Sequence, residues 1–157
     1  MAPFAVTDDI PAEYGQILQA PLEGNDRTDV DINYWGGLAS LDFSGDQVEV
    51  GVAQVGQRDY LLSVLERHIK CAEVNMPVRS DFLVPLALSD QGLEHDPHLV
   101  VARVRVGQAL VIMPGVWHSP AYPISRVGVY WVFLRKGSGI DDLEKVRLPT
   151  AVRLSAR

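Results

Sequence analysis

The sequence predicts an all-β fold, an antiparallel sandwich or barrel. Short apolar segments recur along it, turns containing Gly and Pro separate them, and few patterns reach helix length. The clearest single element is residues 47–55, where Val48, Val50 and Val52 alternate with Glu49, Gly51 and Ala53, the period of two that a strand requires. The 157 residues match one ordinary domain, so a single domain over residues 1–157 is expected, with a core large enough to need no staple. Cys71 is the only cysteine, which excludes an internal disulfide framework.

The elements follow in order. Residues 11–18 suggest a short N-terminal helix or turn, and the polar, acidic residues 21–33 read as a loop. Asn33-Tyr-Trp-Gly-Gly-Leu38 sets two glycines beside Tyr34 and Trp35, the pattern of a bend against a core or a pocket rim. Ser44-Gly-Asp46 is a turn that leads into the strand at 47–55. The leucines of residues 60–68 suit a helix, but the spacing of the apolar segments around them favours a strand. Further strands are expected at 73–76, 82–88, 99–106, 109–113 and 127–135, with a loop at 89–98. Arg103 and Arg105 share one strand face, which sees water or a ligand. The tail after Lys136 is polar with modest helix prospects, and residues 153–157 are expected to be disordered.

Charge and hydropathy narrow the partners. Lys and Arg number 14 against 20 Asp and Glu, a net charge of -6 that argues against nucleic acid and against an anionic membrane surface. No run approaches the roughly 18 apolar residues of a membrane span, and the first ten residues lack the pattern of a secretory signal. A cytoplasmic protein is expected. The apolar strand at residues 48–52 is a candidate edge for pairing with a second copy, so a homodimer is expected too.

The chemistry concentrates in two places. Glu66, His68 and Glu73 form Glu-x-His-x4-Glu, and on a strand residues 66 and 68 point to one face while Arg67 points to the other. A turn after His68 would bring Glu73 to the same site, and His118, after the Pro114-Gly115 turn, would enter from a third strand. Two imidazoles with one or two carboxylates suit a first-row divalent metal and leave a position for substrate. The alternative is a solvated strand face carrying an ion pair, with His118 bonded to its own turn. His95 and His98 lie in the expected loop and read as exposed.

Two motifs carry a resemblance. Gly107-Gln-Ala-Leu-Val-Ile-Met-Pro-Gly-Val-Trp-His118 is similar to the second motif of cupins, with the proline shifted by one. Glu66-x-His68-x4-Glu73 resembles the first, with glutamate in place of its first histidine. Leu65-Glu-Arg-His68, Gly115-Val-Trp-His-Ser-Pro120 and Ala12-Glu-Tyr-Gly15 together resemble the cupin-like ureidoglycolate lyase family over most of the chain. That resemblance implies a double-stranded β-helix barrel, or jelly roll, with a short N-terminal helix. It also implies cleavage of (S)-ureidoglycolate to glyoxylate and urea.

In the implied elimination His68, His118 and Glu66 are the candidate acid and base groups, and a divalent metal on Glu66, His68, Glu73 and His118 is the rival arrangement. No nucleotide or flavin is implied, and the partner is a small polar organic acid. The chain also departs from the family. Val111, Ile112, Met113 and Pro114 stand where that family usually has Asn-Tyr-His-Arg, and Glu73 stands where glutamine is common. The alternatives are a metal-dependent cupin lyase, isomerase or decarboxylase for another small polar acid or sugar, and a non-catalytic small-ligand-binding cupin. Arg67 reads as an outer-face ion-pair former or a substrate clamp, and Trp117 as pocket wall or core.

Overall fold

The computed structural model describes residues 4, 6–19, 27–29, 32–88 and 98–154. Its strands are β1 (Val6–Thr7), β2 (Gly15–Gln19), β3 (Arg27–Asp29), β4 (Ile32–Tyr34), β5 (Val48–Gly56), β6 (Leu61–Arg67), β7 (Glu73–Arg79), β8 (Phe82–Leu88), β9 (His98–Val104), β10 (Gln108–Ile112), β11 (Trp117–His118), β12 (Tyr122–Pro123), β13 (Val127–Arg135) and β14 (Glu144–Arg153). One helix, α1 (Ser138–Asp141), interrupts them near the end of the chain.

Two sheets carry the fold. A seven-stranded sheet runs β1-β9-β8-β11-β6-β14, with β12 also paired to β8, and a five-stranded sheet runs β2-β10-β7-β13-β5. The central core draws on both: Phe82, Val84, Leu86, Ala102 and Val104 from the first sheet meet Leu110, Ile112 and Tyr130 from the second. Alternate residues of β8, Leu83 and Ala87, turn to a second cluster with Leu62, Leu65, Val101, Trp117 and Leu148. A strand buried on both faces has no polar side to show, which is why residues 82–88 are apolar almost throughout.

The expected barrel and N-terminal helix are corrected. The fold is a cupin-like arrangement of β-strands, but both sheets are open: each ends in unclosed edges, β1 and β14 in one and β2 and β5 in the other. The stretch expected to be an N-terminal helix forms a turn at residues 12–14 and then β2. Gly15 decides this. Its φ is +149°, a value that residues with a side chain rarely adopt, and a Cβ built there would lie 1.9 Å from the Val111 carbonyl oxygen, so the chain is pressed tightly against β10. Gly15→Ala is expected to destabilise the protein by about 3 kcal/mol, read as a lowered midpoint in urea.

Smaller differences have similar tertiary causes. Part of the expected loop at 21–33 pairs as the β3–β4 hairpin. The polar tail contains β14, which pairs with β6 from Glu144 to Arg153; a strand with one face in water needs few apolar residues, and this one buries Leu148. Arg153 therefore belongs to a strand, and residues 155–157 lie outside the described residues. So does most of the expected loop at 89–98, His95 included, while His98 opens β9 and is exposed. On β5 Val48, Val50 and Val52 face outward, 45%, 56% and 56% exposed, while Val55 packs against the central core.

Candidate metal centre

Three of the four candidate ligands converge between the sheets. β11 lies between β6 and β8, so His118 is paired with Glu66 on one side and Leu86 on the other. His68 follows the end of β6, two residues on from Glu66. Glu73 opens β7 in the facing sheet, opposite Ile112. The Pro-Gly turn joins the two motifs directly. Gly115 has φ +83°, a value that favours glycine, and its N–H donates to the His68 carbonyl at 2.6 Å.

Both imidazoles are held by the backbone. His68 Nδ1 lies 2.8 Å from the Asp142 carbonyl, and His118 Nδ1 lies 3.0 Å from the Val116 carbonyl. A carbonyl only accepts, so each Nδ1 carries a hydrogen; Nε2 is the nitrogen left to face the site, donating to a carboxylate when the ring is protonated and offering a lone pair to a cation when it is neutral. Both Nε2 atoms turn to one oxygen, Glu73 Oε2, at 3.4 Å from His68 and 3.2 Å from His118. Asn75 Nδ2 donates to the other oxygen, Glu73 Oε1, at 2.8 Å. Thus His118 does bond its own turn, and by doing so aims its other nitrogen at the cluster.

Electrostatics tie the three together. Burial pushes the Glu73 carboxyl up, but the charge and hydrogen bond of His118, with the bonds from His68 and Asn75, outweigh it and hold the group well below the usual carboxylate range. Burial lowers both histidines, and Glu73 more than reverses this, so both end above their ordinary value. Tyr130 is raised by burial first and by Glu73 second, which keeps it a neutral phenol.

The donor set fits a divalent ion. Metal bonds of about 2.0–2.2 Å place neighbouring donor atoms roughly 3 to 3.5 Å apart, the range of the two Nε2–Oε2 distances. All three donors lie within 4.8 Å of one another. The ion must displace protons from the histidines, so its affinity is expected to fall as pH drops through their raised range. Titration calorimetry from pH 8.5 down to 6 measures this, and an affinity that does not change with pH would contradict it.

Glu66 stands apart from the trio. It lines the same cavity, but its carboxylate lies 3.5 Å from Lys145 Nζ of β14, and it is not among the three clustered donors. The cavity is about 230 Å³ and open to solvent, smaller than the ~300–1,000 Å³ typical of drug-sized ligands. Its lining includes Glu66, His68, Glu73, Asn75, Ser119 and Tyr130 but, among the described residues, no Lys or Arg. Asn75 and Tyr130 were not foreseen. Asn75 could have been, since the period of two puts it on the face of Glu73; Tyr130 carried no local signal.

The other singled-out residues lie elsewhere. Arg67 is on the outer face, 4.3 Å from the Trp117 ring centre and 2.7 Å from Glu144. Trp117 itself is core. Arg105 is exposed and pairs with Asp8 at 3.0 Å, and neither it nor Arg103 lines the cavity. Tyr34 is exposed, and neither it nor Trp35 lines the cavity.

Comparison with known proteins agrees with this architecture. A family model described as ureidoglycolate lyase matches residues 3–155. No curated protein matches. Among solved structures, a dTDP sugar isomerase from Desulfovibrio desulfuricans G20 is 15% identical, with 88% of each chain covered and a TM-score of 0.53, a likeness of fold. The S161A mutant of Bacillus subtilis oxalate decarboxylase is 12% identical over 90% of this chain and 30% of its own, with a TM-score of 0.46. Procruciferin, an 11S globulin from Brassica napus, is 14% identical over 64% and 22%, with a TM-score of 0.44. The chain thus spans under a third of the length of these last two.

Proposed function

Since the chain belongs to the ureidoglycolate lyase family, we propose that it is a metal-dependent lyase that cleaves (S)-ureidoglycolate to glyoxylate and urea. The observation that carries this reading is the convergence of His68, Glu73 and His118, the first two of which line a small cavity with no cationic side chain among the described residues. A carboxylate substrate entering there meets Glu66 and Glu73. Positive charge has to come from the cluster itself, and a divalent ion on its three donors would supply it by polarising the substrate's carboxylate and hydroxyl oxygens.

The protein's own groups divide the remaining work. His68 and His118, pinned through Nδ1, serve as ligands, and a histidine so engaged is no longer a free base. Glu66 is then the base that takes the hydroxyl proton as the carbon–nitrogen bond breaks, and neutral Tyr130 gives a proton to the departing ureido nitrogen. Solvent returns the proton from Glu66 to Tyr130. The test is direct: purified protein incubated with (S)-ureidoglycolate and a divalent metal releases equimolar urea and glyoxylate, and no release above the spontaneous rate contradicts the reading.

One observation favours a second reading, a metal-dependent enzyme for another small polar acid or sugar. Val111 and Ile112 are buried in apolar clusters, and none of residues 111–114 lines the cavity, so those positions offer no polar group to a ureido substrate. Turnover of a different hydroxy acid with (S)-ureidoglycolate untouched would select it.

The single domain and the cytoplasmic location belong to the proposal as well. Among the described residues no helix is long and apolar enough to cross a membrane. The homodimer is proposed through β5, the end strand of its sheet, whose outward valines adjoin exposed Trp131, the partner of Val52. Antiparallel self-pairing about Val52 would set the two Val52 side chains opposite each other and Glu49 opposite Val55, which keeps the two Glu49 side chains apart. Sedimentation equilibrium is expected to give twice 17.3 kDa, and Val52→Lys to give the single-chain mass. A wild-type monomer would overturn the pairing.

A further inference from the structure

Asp142 is buried just after α1 and holds the His68 segment at both ends. Its carbonyl accepts from His68 Nδ1 at 2.8 Å. Its carboxylate accepts from the Ile69 N–H at 2.9 Å and from the Lys70 N–H at 2.9 and 3.1 Å. Its own N–H donates to the Ser138 carbonyl at 3.1 Å. One residue thus ties down the imidazole and the turn that follows it.

The segment carrying Asp142 is anchored in turn. The buried Arg135 guanidinium pairs with Asp141 and, at 3.2 Å, with Asp46. Lys70 Nζ donates to the Asp141 carbonyl at 3.0 Å. The Asp142 carbonyl is therefore a fixed acceptor, and a fixed acceptor selects one ring orientation and one tautomer.

We propose that Asp142 is the positioning residue of the metal centre: its carboxylate sets the turn at residues 69–70 and its carbonyl locks His68 with Nε2 facing the cavity. The consequence for catalysis rests on the lyase reading, whereas the consequence for the ring does not. Replacing Asp142 with alanine leaves the carbonyl in the chain but frees two backbone N–H groups from their acceptor. The turn relaxes, and the 2.8 Å contact to Nδ1 is no longer enforced. Asparagine keeps Oδ1, which already accepts from both Ile69 and Lys70, and so restores most of the anchoring.

The test compares wild type, D142A, D142N and D46N, each stripped with chelator. Nitrogen-15 NMR at pH 9 reads the His68 tautomer without metal, calorimetry with Mn²⁺ reads affinity, and thermal unfolding reads stability. Wild type is expected to show the Nδ1–H tautomer alone. D142A is expected to show a mixture and to bind Mn²⁺ about 10- to 100-fold more weakly, while D142N stays within about 3-fold of wild type. D46N removes one of the two carboxylates on Arg135 and leaves the Asp141 pair that holds the strap beside Asp142, so it leaves tautomer and affinity alone and lowers the unfolding temperature only slightly. A wild-type His68 in the Nε2–H tautomer overturns the proposal even if D142A does not fold. So does a D142A protein with wild-type tautomer and affinity, or a D46N protein as impaired as D142A. A wild type that holds the tautomer but binds no Mn²⁺, or leaves (S)-ureidoglycolate intact, overturns the lyase reading instead.

Discussion

His118→Ala is expected to abolish stoichiometric metal binding and to lower kcat/KM for (S)-ureidoglycolate by about 10³-fold, within the range for losing a group that acts on the transition state. His118 is buried and presents Nε2 to Glu73 at 3.2 Å, so alanine leaves only two of the three donors. Two donors from opposite sheets do not hold an ion against water. The fold is expected to survive, because Leu86, Leu65 and Trp117 around that position stay packed. Circular dichroism and the unfolding midpoint check this. His98→Ala, at an exposed residue, is the matched control and should retain wild-type activity and metal content. Full activity in His118→Ala would remove this histidine from the centre.

Glu73→Gln is expected to have the next largest effect. Both imidazoles face Oε2 of this carboxylate, and an amide at the same position offers either a neutral oxygen or a nitrogen that donates. Metal affinity should fall about 100-fold, again measured by calorimetry. If His68 and His118 worked as free acid and base, glutamine, common at this position in the family the chain resembles, would leave turnover largely intact. The substitution therefore separates the two mechanisms.

The same variant changes how stability of the metal-free protein depends on pH. Raised histidines contribute stability below their unfolded value of 6.5 and lose it as pH rises through their folded values. The lowered Glu73 contributes above its unfolded value of 4.5 and loses it as pH falls through its folded value. Their shared contribution is greatest between about 4.5 and 6.5. Thermal unfolding across pH should show that maximum in wild type and a flatter profile in Glu73→Gln. Identical profiles would mean that the three groups do not interact.

Much of the architecture is legible where burial leaves a strong pattern. Residues 82–88 and 127–135 form strands over the expected ranges because each faces packing that demands apolar side chains. Legibility fails where tertiary contact decides. The shape of residues 11–18 follows from Gly15 pressing on Val111, and β14 is a largely solvent-facing strand whose pairing with β6 no local pattern shows.

The site divides along the same line. The spacing Glu66-x-His68-x4-Glu73 and the Pro-Gly turn before His118 are local, and they identify the residues that meet. The separation of Glu66 from the clustered trio is not local. Lys145 draws on its carboxylate from β14, and a reading that misses that strand also misses the ion pair. Asp142 escapes for a related reason, since only the folded strap brings residue 142 beside His68.

Elemental analysis of protein purified without chelator, alongside His118→Ala, tests the central claim most directly. The expected result is one divalent ion per wild-type chain and a content near zero in the variant. Wild-type protein that turns over (S)-ureidoglycolate while carrying no ion would contradict it.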